Sequence, residues 1–377
     1  MIFYKPLKSF LEEYNDKNVD NKYKTVAVGK YGIRTRESIY SKELAKDYSK
    51  NKLIYKNTLT VGMGSKQIDI GILSDDHVFS VSPAYHTFKI SNINPDYLRY
   101  CLQARNPDMF IRYVKRGSRQ GKAIDLKRWL TYEIPIHEKL VQKEIVKTLD
   151  VVKDLLEAYK EELDRYDGLV KSRFVEMFGD YPSNPMGWKI VTIRDVITEA
   201  RYGSSRPAVE GGKYPYLRMN NITYSGELDL SDTKRIDIPD NELEKCTVRR
   251  GDVLFNRTNS KELVGKTCVY DRDEMMVLAG FVIRVRVKDC ILPEFLSAFL
   301  NTDSSKQMLL GMCKTAIGQA NINAQELQNI ELYLPPIELQ QEFLKFKKQI
   351  AKSKVAIQAA LDKTQLLFDS LMQEYFG

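Results

Sequence analysis

The sequence is poor in the residues that build metal sites and disulfide frameworks. Its five cysteines, Cys101, Cys246, Cys268, Cys290 and Cys313, are odd in number and scattered, with no CxxC pair. That spacing argues against a zinc cluster or a disulfide scaffold and predicts reduced thiols in a cytoplasm. The three histidines, His77, His86 and His137, are unpaired and lack ligand spacing. Each is read as a surface or packing residue, so neither a metal nor a cofactor is expected. No run approaches the roughly 18 apolar residues that a membrane span needs. The start, Met1-Ile2-Phe3-Tyr4-Lys5-Pro6, has no apolar core or cleavage site of a secretory leader, so no membrane partner is expected. The charge balance is only mildly basic, +8, which permits a polyanionic partner without demanding one.

Catalytic signatures are equally scarce. Ser260-Lys261-Glu262-Leu263-Val264-Gly265-Lys266-Thr267 ends like a phosphate loop, but Ser260 stands where the leading glycine belongs. A strand-like run also follows where a helix should begin, so the strand–loop–helix context is missing. Pro239-Asp240 suggests a nuclease carboxylate motif, yet no acidic-X-Lys triplet sits suitably downstream. There is no GxGxxG and no Asn-Pro-Pro-Tyr-like motif of an amino-methyltransferase. A chain of 377 residues without an acid–base or nucleophile set reads as a binding component.

What the chain does contain is a repeat. Residues 124–179 align without a gap to 322–377 at a constant offset of 198, with 13 identities, among them Gln142/Gln340, Leu163/Leu361, Phe178/Phe376 and Gly179/Gly377. A repeat on this scale predicts two similar modules in tandem. Within the first copy, Ile145, Leu149, Val152, Leu156, Tyr159, Leu163, Tyr166 and Val170 alternate steps of four and three. This is a coiled-coil seam, predicting a helix over 141–178 about 57 Å long. Gly179 and Tyr181-Pro182 should end it. The second copy places Phe343, Ile350, Ile357, Leu361, Phe368 and Leu371 at matching positions, interrupted by Lys347, Lys354 and Thr364. Those interruptions either fix register or face a third partner; otherwise this helix buries a different stripe. Two equal helices are expected to pack antiparallel.

The segments outside the helices are rich in short strand-like runs. In the second half these are 216–219, 252–255, 267–270 and 281–287, followed by a helix at 294–300. The first half repeats the order at 25–28, 58–61 and 77–81, with a helix at 96–103. Asn94-Pro95-Asp96-Tyr97-Leu98 mirrors Ile291-Leu292-Pro293-Glu294-Phe295-Leu296. The predicted fold is therefore α+β. Two similar mixed α/β domains are separated by two long helices in an antiparallel coiled coil, with pseudo-twofold symmetry. The expected boundaries are 1–133 and 181–331 for the domains, and 134–180 and 332–377 for the helices.

Basic and amide-bearing segments recur in both halves. Between Arg112 and Arg128 seven basic residues face one acid, Asp125, and Gly117 and Gly121 suggest a flexible loop. Such donors neutralise phosphates. The equivalent loop, 314–321, is less charged but rich in hydrogen-bonding groups, and 255–261 packs Asn, Arg and Lys after a strand. Arg pairs bidentately with guanine and Asn with adenine in the major groove. The expected DNA readers are Arg257, Asn259, Ser260 and Lys261, with Gln319 and Asn321 nearby. Their first-half counterparts are Lys66, Gln67, Arg119, Gln120 and Lys122, with Arg116 and Arg128 as phosphate clamps.

These motifs resemble those of type I restriction-modification specificity subunits. The resemblance rests on Leu334-Pro335-Pro336-Ile337-Glu338-Leu339-Gln340-Gln341 entering the second helix, and on its counterpart Ile134-Pro135-Ile136-His137-Glu138. It also rests on the endings Glu176-Met177-Phe178-Gly179 and Glu374-Tyr375-Phe376-Gly377, on Pro215 to Ile222, on Gly251 to Ser260 and on Leu263-Val264-Gly265-Lys266. The first half departs in having Thr60 to Lys66 where the second has Phe255 to Lys261, and His137-Glu138 where the family usually shows Pro-Pro. The resemblance implies two target-recognition domains, each reading half of an interrupted site in double-stranded DNA. It implies that the helices act as the ruler and as the dock for two methyltransferase subunits. Those subunits would bring S-adenosylmethionine, and separate motor-nuclease restriction subunits would cut. Half-sites about one DNA turn apart lie roughly 34 Å from each other, within the reach of such helices. The chain itself would catalyse nothing. The alternative is a free-standing nuclease or methyltransferase with an unrecognised site.

Overall fold

Two forty-residue helices, α2 (Lys139–Phe178) and α4 (Ile337–Phe376), run through a computed structural model. It describes residues 2–30, 32–36, 47–117, 121–260, 262–316 and 319–377. The chain divides into two units. One comprises Met1–Tyr159 and Ala359–Gly377; the other is Lys160–Gln358. Each unit thus combines a β-rich body with part of both long helices. Among the described residues no helix is long and apolar enough to cross a membrane.

In the first unit a four-stranded antiparallel sheet is ordered Leu11–Tyr14, His86–Ile90, Thr58–Met63, Ile68–Ile72. Helix α1 (Pro95–Tyr113) begins at Asn94, whose side chain accepts the Tyr97 N–H at 3.0 Å. The helix extends ten residues past the expected end at Gln103 and passes through Pro107. Just beyond the proline Met109 is buried and Asp108 pairs with Arg112 at 2.7 Å. Trp129, fully buried, donates its indole N–H to Met109 Sδ at 3.2 Å and anchors the underside of the sheet with Phe88 and Ile134.

The second unit holds two four-stranded sheets. One is ordered Ile197–Tyr202, Val282–Val287, Val253–Asn256, Thr267–Val269 and is antiparallel. The other is ordered Lys234–Ile236, Tyr214–Leu217, Met276–Leu278, Thr247–Val248 and contains one parallel pair. Along Val282–Val287 the side chains alternate between faces. Ile283 and Val285 enter a core with Phe255, Phe295 and Phe299 from α3 (Pro293–Leu300). Arg284 points the other way and is buried as well. It donates to Glu199 at 2.7 Å and to the Thr247 carbonyl, while Arg286 bridges Glu199 and Asp252 at 2.8 Å each.

The repeat reappears as duplicated contacts. Buried Gln142 accepts the Asn94 N–H at 3.0 Å and donates to the His137 carbonyl at 2.8 Å. Buried Gln340 accepts the Leu292 N–H at 2.8 Å and donates to the Pro335 carbonyl at 2.9 Å. Each glutamine ties the start of a preceding helix to the start of a long one, and its loss would deprive two backbone groups of a hydrogen-bond partner. The helix ends pack likewise: Phe376 meets Tyr97 edge-on at 5.1 Å in the first unit, and Phe178 meets Phe295 at 5.0 Å in the second. Gly179, at φ +86°, terminates α2 where a side chain would strike Pro185.

Within the second unit the helices pack antiparallel. Phe174 touches Phe343 at 5.3 Å, while Asp167 pairs with Lys354 at 2.7 Å farther along. In the first unit Ile145, Leu149, Val152 and Leu156 are buried as the heptads predict. The lysine interruptions face acids rather than apolar partners. Lys354 bridges Asp167 and Glu227 at 2.7 Å each. Lys347, its ammonium destabilised by burial, lies toward Glu294 and Glu227.

Candidate nucleic-acid interface

In the second unit two of the sequence-predicted segments meet in one sheet. Thr258–Asn259 pairs antiparallel with Gln319–Asn321, which pairs in turn with Lys314–Ala316. Thr258 Oγ1 donates to Asn321 Oδ1 at 3.0 Å, and Asn259 Oδ1 accepts the Ser260 N–H at 2.9 Å. Both carboxamides are therefore oriented through their oxygens. Neither NH2 group has a hydrogen-bond partner among the described residues, so both can serve a ligand as donors. Ser260 opens the following turn, its carbonyl accepting from Leu263 and Val264.

Arg257 lies at the junction of these strands and is held on several sides. Its N–H donates to the Phe281 carbonyl at 3.0 Å, and its own carbonyl accepts from Ile322 at 2.9 Å. Its guanidinium sits 4.7 Å from the Tyr202 ring centroid and donates through Nη1 to the Gly280 carbonyl at 3.3 Å. Lys266, at the end of the phosphate-loop-like string, is turned inward and donates to the Met219 and Ile222 carbonyls at 3.0 and 2.5 Å. Thr267 beside it lies in a strand. A lysine committed in this way, before a strand, is not the phosphate ligand of a nucleotide loop.

The basic segment of the first unit is not a loop. Arg112 belongs to α1, and Val114–Gly117 pairs with Gly121–Ile124 as an antiparallel hairpin. The glycines expected to confer flexibility instead pair across it, Gly117 opposite Gly121. Two of its charges are already neutralised: Arg112 by Asp108 at 2.7 Å and Lys115 by Asp125 at 2.6 Å. Lys115 holds the Asp125 carboxyl below its usual range, and Asp125 also caps the short helix Leu126–Trp129. Lys122 donates to the Ser65 carbonyl at 2.5 Å and lies 5.2 Å from the Phe110 ring. That contact joins the hairpin to the Gly64–Gln67 turn, bringing Lys122 beside exposed Lys66 and half-buried Gln67. Near them, burial raises the Asp69 carboxyl. Exposed Arg128 lies 5.7 Å over Tyr113.

Arg116 falls in the hairpin and Gln319 in the three-stranded sheet, by backbone only. Arg119, Gln120 and Lys261 lie outside the described residues. Tyr202 was not singled out from sequence, and Phe281 was read only as the start of a strand. Their only local signal is an aromatic residue next to a glycine at each of two strand ends, Tyr202-Gly203 and Gly280-Phe281.

The family model for the type I restriction modification DNA specificity domain matches the chain twice, over residues 5–165 and 185–364. The EcoKI specificity subunit of Escherichia coli K12 is 25% identical over 233 residues, 58% of this chain and 50% of that protein. A putative MjaX specificity subunit from Methanocaldococcus jannaschii is 28% identical over 172 residues, 45% of this chain and 39% of that protein. The chain thus spans about half the length or less of these curated relatives. A chain from a solved structure addressing complex assembly of the type I R-M system aligns with TM-score 0.57 at 16% identity, covering 99% of this chain and 97% of that one. The type I S subunit from M. genitalium aligns with TM-score 0.51 at 14% identity, covering 100% and 96%. Those two alignments establish a shared fold. With two matched segments that together span most of its length, the chain belongs to the type I restriction modification DNA specificity domain family.

Proposed function

We propose that this chain is the sequence-specific DNA-binding subunit of a type I restriction-modification complex and reads an interrupted, two-part site. The observation that carries this is the duplication of the DNA specificity domain, one match in each half. Residues 1–133 and 181–331 are assigned as target-recognition domains, and 134–180 and 332–377 as spacer and docking helices. Its partners are double-stranded DNA, two methyltransferase subunits and restriction subunits, in the cytoplasm. Exposed apolar positions on the helices, Val151 and Leu155 among them, support docking there. Catalysis belongs to the partner subunits, and this chain contributes recognition.

Arg257, Asn259, Ser260, Lys261, Gln319 and Asn321 are proposed as the base-reading set of the second domain. Their support is the three-stranded sheet, which gathers segments some sixty residues apart in sequence. Lys66, Gln67, Arg119, Gln120 and Lys122 are proposed for the first domain, with Arg116 and Arg128 on phosphates. The test is a gel shift with the reconstituted subunit–methyltransferase complex. Tight binding to one interrupted sequence is expected, and equal binding to all sequences contradicts the proposal. Cleavage or methyl transfer by the purified chain alone would instead favour a free-standing enzyme.

A further inference from the structure

We infer that Tyr202 is a specificity-positioning residue: it presents the Arg257 guanidinium to one guanine of the recognised site. The inference rests on the specificity-subunit reading above and adds a residue and a base to it.

A long arginine side chain on a surface samples many rotamers, and fixing it during binding costs affinity and selectivity. Arg257 is already fixed. Its guanidinium carbon lies 4.7 Å from the centre of the Tyr202 ring, within cation–π range. Nη1 is tethered to the Gly280 carbonyl at 3.3 Å, and Nε is buried with no hydrogen-bond partner. The Nη1/Nη2 edge is then the part of the fork left to meet a base, and guanine O6 and N7 are the acceptor pair that matches it.

The platform under the arginine is itself rigid. Tyr202 is 38% exposed, so its ring is neither free nor part of the core. Its hydroxyl accepts the Ala324 N–H at 2.8 Å, and its backbone lies opposite Ile283 in the sheet. At the next residue, Gly203, a Cβ would fall 2.0 Å from the Leu278 carbonyl oxygen, so the two backbones are in close contact. Ser204 donates to Leu278 and receives from Gly280, both at 2.7 Å. The strand end that carries the ring is therefore laced to the turn that tethers Nη1, so ring and carbonyl set the guanidinium from two linked sides.

The test uses the full chain assembled with its methyltransferase subunits, selecting from a library of randomised DNA duplexes. Tyr202→Leu fills the space without a π face, Tyr202→Phe keeps the face and loses the hydroxyl, and Arg257→Ala removes the reader. Tyr202→Leu should relax one guanine position by about tenfold, leaving the other positions and the salt dependence unchanged. Tyr202→Phe should restore most of that preference. Arg257→Ala should relax the same position, and adding Tyr202→Leu to it should change nothing further. Relaxation at different positions, additive effects, or uniform weakening by Tyr202→Leu would overturn the inference alone. A wild-type complex that selects no motif overturns the specificity reading and this inference with it.

Discussion

Glu199 and Arg284 form a buried ion pair whose two halves should respond unequally to mutation. Three arginines, Arg201, Arg284 and Arg286, contact Glu199 at 2.9, 2.7 and 2.8 Å, and Arg286 also contacts Asp252. Arg284 is the most deeply buried of the three, with 2% of its side chain exposed, and its Nε lacks a partner. Replacing Glu199 with Gln leaves that guanidinium buried without a counter-charge within contact distance. Breaking a buried pair from one side costs about 3–5 kcal/mol. Arg284→Met keeps much of the stem volume, removes the unsatisfied donor, and leaves Glu199 paired with Arg286 and Arg201. It also strips the Thr247 carbonyl of its Arg284 donor, so its cost should be about 1–2 kcal/mol, still below that of Glu199→Gln. Urea denaturation of the two variants, followed by tryptophan fluorescence, measures the difference. Equal destabilisation, or a larger loss from Arg284→Met, would refute the assignment of Glu199 as the keystone of the cluster. The consequence reaches the candidate interface, because the strand containing Arg284 pairs with the strand ending at Tyr202.

Three further outcomes are expected. Arg257→Ala should cost about 1–3 kcal/mol of binding to the preferred sequence and relax one position, whereas Arg116→Ala should weaken all duplexes alike and lower the salt slope by about one; gel shifts over a salt series separate the two. Burial, reinforced by Lys171 and Lys266, pulls the Lys306 ammonium down to about 7 from 10.5. Below that value the charge is carried in both folded and unfolded chains and its burial penalty is complete. As pH rises from about 7 toward 10.5 the unfolded chain binds the extra proton, so this group's contribution to stability rises. Lys306→Met removes this pH dependence together with the Lys306 bond to the Gly265 carbonyl at 2.6 Å, so wild type should gain stability relative to the variant as pH rises from about 7 toward 10; a constant gap in urea midpoints would refute this. Finally, Val151→Asp with Leu155→Asp, both exposed on α2, should abolish co-purification with the methyltransferase subunits while leaving the circular dichroism of the isolated chain unchanged.

The long helices were legible because their information is local. The four-three spacing from Ile145 onward needs only the 3.6-residue turn, and Gly179 ends α2 as expected. The strands near 253, 267 and 282 were equally visible as β-branched and aromatic runs between turns. What sequence could not show depends on distant partners. Arg112 to Arg128 looked like a loop because its glycines signal flexibility, yet the hairpin register places Gly117 and Gly121 opposite each other. Lys354 looked like a flaw in a heptad until Asp167 and Glu227 were seen to pair with it. Arg257, Asn259 and Asn321 were chosen for their side-chain chemistry. That Asn259 and Asn321 share one sheet, with Arg257 at its edge, follows from pairing across more than sixty residues, which no local pattern encodes. Tyr202 was missed for the same reason: its partner on Arg257 is 55 positions away.

The most direct measurement exchanges residues 181–331 for the corresponding segment of another family member and maps adenine methylation across a host genome carrying the complete system. The account predicts that the native chain marks one interrupted motif and that the exchange rewrites one half of it while the other half persists. Rewriting both halves together, or leaving the motif untouched, would contradict the assignment of one DNA-reading domain to each half of the chain.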